Sequence, residues 1–269
     1  GTNLIPRQLP SMGSMLVRVA DPTPNAYVSI NYNSVAMGNT DMQRMPSEQM
    51  RYQGMSTRFD IVGKTSTDRM WLVPDEKFTR SYDDGYDGEK IPGSALDPQI
   101  YAIEEDGNYQ VGAIDDLNNT TLAFQAGQDT EYKMTVVHEN AEGKYSKIYL
   151  VDIVANVVAD ITESGTEYLF VATSTAKPIN RFKVITDYSV DGGEKTSGIK
   201  VFTMNNNLYV YNNTELEARV SVFDLAGRNC GYKTVSANGI TTFPVQLQQT
   251  YIVRAVTDEL SETAKIIIR

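Results

Sequence analysis

Arg181-Phe182-Lys183-Val184-Ile185-Thr186-Asp187-Tyr188 alternates residue by residue, and its period of two decides the fold class. Phe182, Val184 and Thr186 are expected on one side of an extended strand, with Arg181, Lys183 and Ile185 on the other. Antiparallel sheets with one wetted face produce this pattern. The same period recurs upstream at 27–32, 58–62, 70–73, 132–137, 147–153 and 168–173. Between these runs lie turn segments rich in Gly, Asn and Asp, such as Glu105-Asp106-Gly107-Asn108 and Glu139-Asn140-Ala141-Glu142-Gly143, where positive φ comes cheaply. Long amphipathic helical stretches are lacking, although 41–50 could form a turn or two. The fold class is therefore all-β.

Downstream of the deciding strand, Ser189-Val190-Asp191-Gly192-Gly193-Glu194-Lys195-Thr196-Ser197-Gly198 has almost no apolar content and three glycines, the composition of a flexible linker. The chain accordingly divides into a larger jelly-roll-like β-sandwich over 1–188, a linker at 189–198, and a small unit over 199–269. Seven short strands are expected in that small unit, at 199–203, 207–211, 217–224, 231–236, 239–245, 250–257 and 262–268. Seven strands in so short a span suggest an immunoglobulin-like sandwich.

At 269 residues the chain is long enough to bury a sizeable core without disulfides or a structural metal. Cys230 is the single cysteine, which excludes an internal disulfide framework and a multi-thiolate zinc site. The net charge of −10, with Lys and Arg dispersed singly, disfavours nucleic acid and anionic membranes as partners. No apolar run is long enough for a membrane-spanning helix, so membrane insertion is not expected. The chain opens on Gly1 rather than Met, which reads as the cut end of something longer.

Leu208-Tyr209-Val210-Tyr211-Asn212, Val220-Ser221-Val222-Phe223-Asp224-Leu225-Ala226-Gly227-Arg228, Gly239-Ile240, Tyr251-Ile252-Val253-Arg254-Ala255 and Lys265-Ile266-Ile267-Ile268 form an ordered series. It resembles the C-terminal sorting domain of Bacteroidetes type IX (Por) secretion cargo. In one turn, Leu247-Gln248-Gln249-Thr250 stands where that family usually has a glycine. Asn25–Asn33, Tyr82–Lys90 and Leu122–Gly127 more loosely resemble a β-sandwich module that precedes the terminal domain in large Bacteroidetes surface proteins. The resemblance implies a secreted or cell-surface location and contact between residues 199–269 and secretion machinery. It gives architecture and no activity.

The search for chemistry is mostly negative. His138 is the sole histidine and stands at a strand end before a polar turn, where it reads as a solvated edge residue rather than a catalytic base. Glu104, Glu105, Asp115 and Asp116 offer carboxylates, yet adjacent acids on a strand point to opposite faces, so no convergent pair is expected. Two candidate sites remain. Asp83, Asp84 and Asp87 partly echo the opening of a calcium loop, in which oxygens converge on one ion, but the third position is Gly85 and the twelfth is Ser94. The competing reading is a turn whose aspartates cap local amides. Tyr82, Tyr86 and Tyr101 could stack on a glycan, against the reading in which Trp71 and most tyrosines fill the core. Asn118, Asn119 and Asn212 stand in Asn-x-Thr order and read as polar turns.

These residues lead to a non-catalytic structural or adhesive module of a larger bacterial surface protein, with cell-surface polysaccharide or a host glycan or protein as its partner. The alternatives are a carbohydrate-binding module of a glycan-utilisation system and the non-catalytic tail of a secreted hydrolase. Exposed coplanar aromatics would favour the former.

Overall fold

A computed structural model describes residues 54–141, 143–175, 177–188 and 198–268. The expected strand at 27–32 and helical turn at 41–50 lie outside the described residues, as does the expected linker up to residue 197. All eighteen elements among the described residues are β-strands. No helix among them is long and apolar enough to cross a membrane.

The larger part holds β1 (Ser56–Val62), β2 (Thr67–Pro74), β3 (Gly88–Glu89), β4 (Gln99–Ile103), β5 (Asn108–Ile114), β6 (Thr120–Gln125), β7 (Glu131–Glu139), β8 (Tyr145–Asp152), β9 (Val157–Asp160), β10 (Thr166–Val171) and β11 (Ile179–Tyr188). They form one sheet in the order β10-β7-β1-β2-β5-β4-β6-β11-β8-β9, with β3 against β5. Every neighbouring pair is antiparallel except β2 and β5, which run parallel. The two layers of this sandwich are therefore halves of one hydrogen-bonded sheet.

Aromatic contacts bring the two halves together. Phe170 of β10 meets Phe182 of β11 at 5.2 Å and Phe124 of β6 at 5.1 Å between ring centroids, both edge-to-face. Pairs in this geometry contribute about 0.5–1.5 kcal/mol each beyond the area they bury. The alternation read from sequence holds in β1, where Phe59 and Ile61 face the core, and in β7, where Tyr132, Met134 and Val136 do.

In β11 the outcome differs from the expected wetted face, because residues 181 to 187 are all buried. Two causes act. An irregularity in the β6 pairing between Asn180 and Phe182 breaks the alternation, and Arg181 turns its guanidinium to the core rings of Phe170 and Phe182. Beyond it, Ile185 forms a second apolar cluster with Tyr149 and Val151 of β8, and the terminal strands cover that cluster.

The terminal strands are β12 (Ile199–Met204), β13 (Asn207–Asn212), β14 (Ala218–Asp224), β15 (Asn229–Val235), β16 (Ile240–Pro244), β17 (Thr250–Val256) and β18 (Ser261–Ile267). This is the expected number of strands. They form two sheets, β12-β13-β16 and β15-β14-β17-β18, around Leu208, Val210, Val220, Val222 and Val253. Asn205 and Asn206, both at positive φ (49° and 59°), make the two-residue turn between β12 and β13, where asparagine tolerates a conformation that β-branched residues resist.

Against the larger part, Phe202, Met204, Tyr209 and Tyr211 pack on Tyr149, Val151 and Ile185. Lys200 forms a buried ion pair with Asp187, and Asn213 Nδ2 donates to the Tyr149 hydroxyl at 3.0 Å.

Candidate functional site

The loop from β2 to β3 carries most of the residues singled out for chemistry. It is built on its own carboxylates. Asp83 Oδ2 accepts from the Thr79 amide at 2.7 Å. Asp87 Oδ2 accepts from the Asp83 amide at 2.6 Å, and its Oδ1 accepts from the Ala113 amide at 2.6 Å. Gly85, at φ 83°, supplies the left-handed residue between them. The structure thus brings Asp83 and Asp87 together, while Asp84 is exposed. Burial raises the pKa of Asp87 against the pull of its two amide donors, and the charges of Asp83 and Asp106 push the same way. Among the described residues no three His, Cys, Asp or Glu side chains converge as a metal-ligand group.

The aromatic candidates separate. Tyr82 and Tyr86 are each 41% exposed, whereas Tyr101 in β4 is 7% exposed. Tyr82 stacks on Tyr109 at 6.3 Å, and Tyr86 tilts against Phe78 at 4.8 Å. Lys77 Nζ sits over both Phe78 and Tyr86, at 4.7 and 5.5 Å from the ring centroids. Among the described residues eight tyrosines are buried, as the core reading expects. Trp71 departs from it: it lies half-buried outside the core cluster, with the Arg69 guanidinium 5.7 Å from its ring centroid. The alternation of β2 explains this, since Met70 and Leu72 take the inward positions.

Glu104 and Asp115 were not expected to converge, yet both reach the guanidinium of Arg80. Nε of Arg80 donates to Asp115 Oδ1 at 2.5 Å, while Nη1 lies 3.5 Å from Glu104 Oε1 and 2.8 Å from Thr120 Oγ1. Nη2 donates to the Asn118 carbonyl at 3.1 Å. Burial pushes the Glu104 carboxyl up to about 7, only partly offset by Arg80. Burial likewise pushes the Lys183 ammonium down to about 8, with Arg80 acting in the same direction. With one guanidinium holding two carboxylates and several turn groups, the arrangement braces the loop ends. Neither Arg80 nor Lys183 belongs to any motif, so spacing in the sequence could not have found them.

His138 is buried at 8% exposure, which corrects the reading of a solvated edge residue. It continues the inward series of Tyr132, Met134 and Val136 along β7. Its Nε2 is 2.7 Å from the Ile161 carbonyl, which can only accept, so Nε2 carries the proton and Nδ1 accepts from the Thr57 hydroxyl at 2.9 Å. Burial lowers its pKa. Asn212 is also fully buried: its amide donates to the carbonyls of Leu216 and Ser236, and its oxygen accepts from Thr214. Cys230 is exposed in β15.

No family model matches the chain. Over 239 residues, 85% of its length, the chain is 26% identical to the minor fimbrium subunit Mfa5 of Porphyromonas gingivalis. It spans 19% of that protein. Among solved structures it matches the BSP domain of a biofilm associated protein, with a TM-score of 0.26 and 14% identity over 52% of this chain and 27% of that one. A likeness at that level supports no inference about fold or function.

Proposed function

We propose that this chain is a non-catalytic structural and adhesive segment of a larger bacterial surface protein. The observation that carries the reading is the similarity to a fimbrium subunit along 85% of the chain. The internal use of its polar groups agrees with it: Asp83, Asp87, Glu104, Asp115 and His138 all serve backbone amides, one guanidinium or a buried hydrogen-bond pair. In this reading residues 1–188 form the display module and residues 199–269 direct or anchor the parent outside the cell, in contact with secretion machinery.

The test is to express the parent protein with and without residues 199–269 in its own cell and to shave intact cells with protease. Loss of the surface-accessible pool on deletion, with the protein retained inside, supports the sorting role. Unchanged surface exposure removes that role and leaves the structural one. An intracellular location of the intact parent overturns the whole reading.

A second reading rests on the exposure of Tyr82 and Tyr86, two rings of one loop, with Lys77 over the ring of Tyr86. Rings so placed could take a saccharide face from a polysaccharide or host glycan. Glycan-array binding that is lost in Tyr82→Ala and Tyr86→Ala would establish it.

A further inference from the structure

Among the described residues strand β10 ends the large sheet, and it differs from the other edges. Natural edge strands are blunted by shortness, charge, proline or bulges, because an open edge is a template for another strand. Among the described residues, β9 is four residues long, β12 and β18 carry Lys200 and Lys265, β15 has a register shift against β14, and β16 ends in Pro244. Strand β10, Thr166-Glu167-Tyr168-Leu169-Phe170-Val171, has no lysine, proline or bulge, and Lys133 of the neighbouring strand neutralises its one charge, Glu167.

Apart from Glu167, its exposed side chains are apolar. Leu169 is 73% exposed and Val171 70%, and Val62 extends the patch across the same face. A groove of about 900 Å³ runs along them, between β10 and the Val154–Val157 turn.

The backbone register adds the decisive observation. The Ala172 amide donates to the Thr130 carbonyl at 2.9 Å, so even-numbered residues of β10 make the hydrogen-bonded pairs with β7. The amide and carbonyl groups of Glu167, Leu169 and Val171 therefore face the open edge. The Arg181 guanidinium donates to the Val171 carbonyl from that side at 2.9 Å, leaving that oxygen a second lone pair.

We propose that β10 is a self-association edge, on which a second copy of this chain pairs its own β10 antiparallel about a two-fold axis through Leu169. This register sets Leu169 against Leu169 and Glu167 against Val171. All three outward-facing residues then enter hydrogen-bonded pairs, and no like charges stand opposite one another. The exposed leucines and valines of the two copies join into one stripe, and the contact is isologous, the commonest way for a chain to close on itself. A shift by two residues leaves two such pairs in place of three.

The test uses the full chain. Sedimentation equilibrium should show the mass rising from one chain toward two with concentration, and Leu169→Lys should weaken the dimer about tenfold or more, since it sets like charges across the axis. With Leu169 so exposed, that variant should melt as the parent does. Leu169→Cys in a Cys230→Ser background should cross-link on oxidation, because directly opposed residues lie about 5.5 Å apart, within disulfide reach. Leu225→Cys, equally exposed in the terminal part, should not. A single-chain mass at every concentration overturns the proposal, as does a dimer that Leu169→Lys leaves intact or cross-linking no better at 169 than at 225.

Discussion

Arg181 holds Asp152 with both carboxylate oxygens engaged, Nε at 3.1 Å from each and Nη2 at 2.7 Å from Oδ2, and the two side chains are 3% and 1% exposed. The pair sits where the two halves of the sheet meet: the Tyr168 hydroxyl of β10 donates to Asp152 at 3.1 Å, and the guanidinium carbon lies 4.5 Å from the Phe170 ring centroid. A buried pair of this kind is costly to break rather than stabilising in itself, because either partner alone is an uncompensated charge.

Asp152→Ala should therefore destabilise the chain by about 3–5 kcal/mol. The double variant Arg181→Met, Asp152→Leu should regain much of that loss, but not all, since Asp152 also accepts the amides of Val154 and Ala155. Urea unfolding of the three proteins decides it. A single variant that unfolds with the parent would mean that the pair carries no structural weight.

The Glu104 and Lys183 environments predict two opposite limbs in stability against pH. Glu104 titrates near 7 in the folded chain and near its ordinary 4.5 when unfolded, so between those values the folded state holds a proton that the unfolded state lacks. Stability should fall as pH rises through that window and level off above it. Lys183, near 8 when folded against 10.5, is neutral in the folded state while still charged in the unfolded one, so stability should rise between those values. Arg80, Asp115 and Asp87 all act on Glu104, and subtracting the Glu104→Gln profile from the parent's isolates its limb. Parallel urea-midpoint profiles for the two proteins between pH 4.5 and 7 would contradict the assignment.

The period of two was legible in the sequence wherever one face met a core and the other met water, as in β1 and β7. It failed where both faces are covered. Gln99-Ile100-Tyr101-Ala102 in β4 is buried throughout, and its continuous apolar run Ile100-Tyr101-Ala102 carries no phase. His138 was misread because the strand runs two residues beyond the expected 132–137, to Glu139, and its alternation then carries His138 inward. The Arg80 brace was invisible for another reason: Asp115 and Thr120 lie 35 and 40 residues from it, and no local pattern encodes contacts closed by folding. The terminal hairpin is encoded locally: Asp224 caps the amides of Ala226 and Arg228, and Gly227 takes φ 76°.

In the turn before β17, Gln248 adopts φ 58°, a left-handed conformation with no glycine to fill it. A left-handed residue with a Cβ costs roughly 1–2 kcal/mol, and the gain from glycine is reduced by its greater freedom when unfolded. The side chain is exposed. Gln248→Gly should therefore be neutral to stabilising by up to about 1 kcal/mol, whereas Gln248→Val should be destabilising. Thermal melts that place Gly below the parent would show that the glutamine side chain contributes something beyond its backbone.

The apolar junction between the larger sheet and the terminal strands should make the two unfold together. Ile185, Tyr149 and Val151 lie on one side and Phe202, Met204, Tyr209 and Tyr211 on the other, with Lys200 and Asp187 paired beside them. Ile185 is 3% exposed, so Ile185→Asp places an unpaired carboxylate in that contact. Its side chain faces the terminal strands rather than the aromatic core of the sandwich, so the large sheet itself should survive. Calorimetry of the parent should give one transition, and Ile185→Asp should split it into two, the lower belonging to the terminal strands. Two transitions in the parent would mean that the contact is too weak to couple the parts; a single, lowered transition in the variant would mean that the terminal strands have no stability of their own.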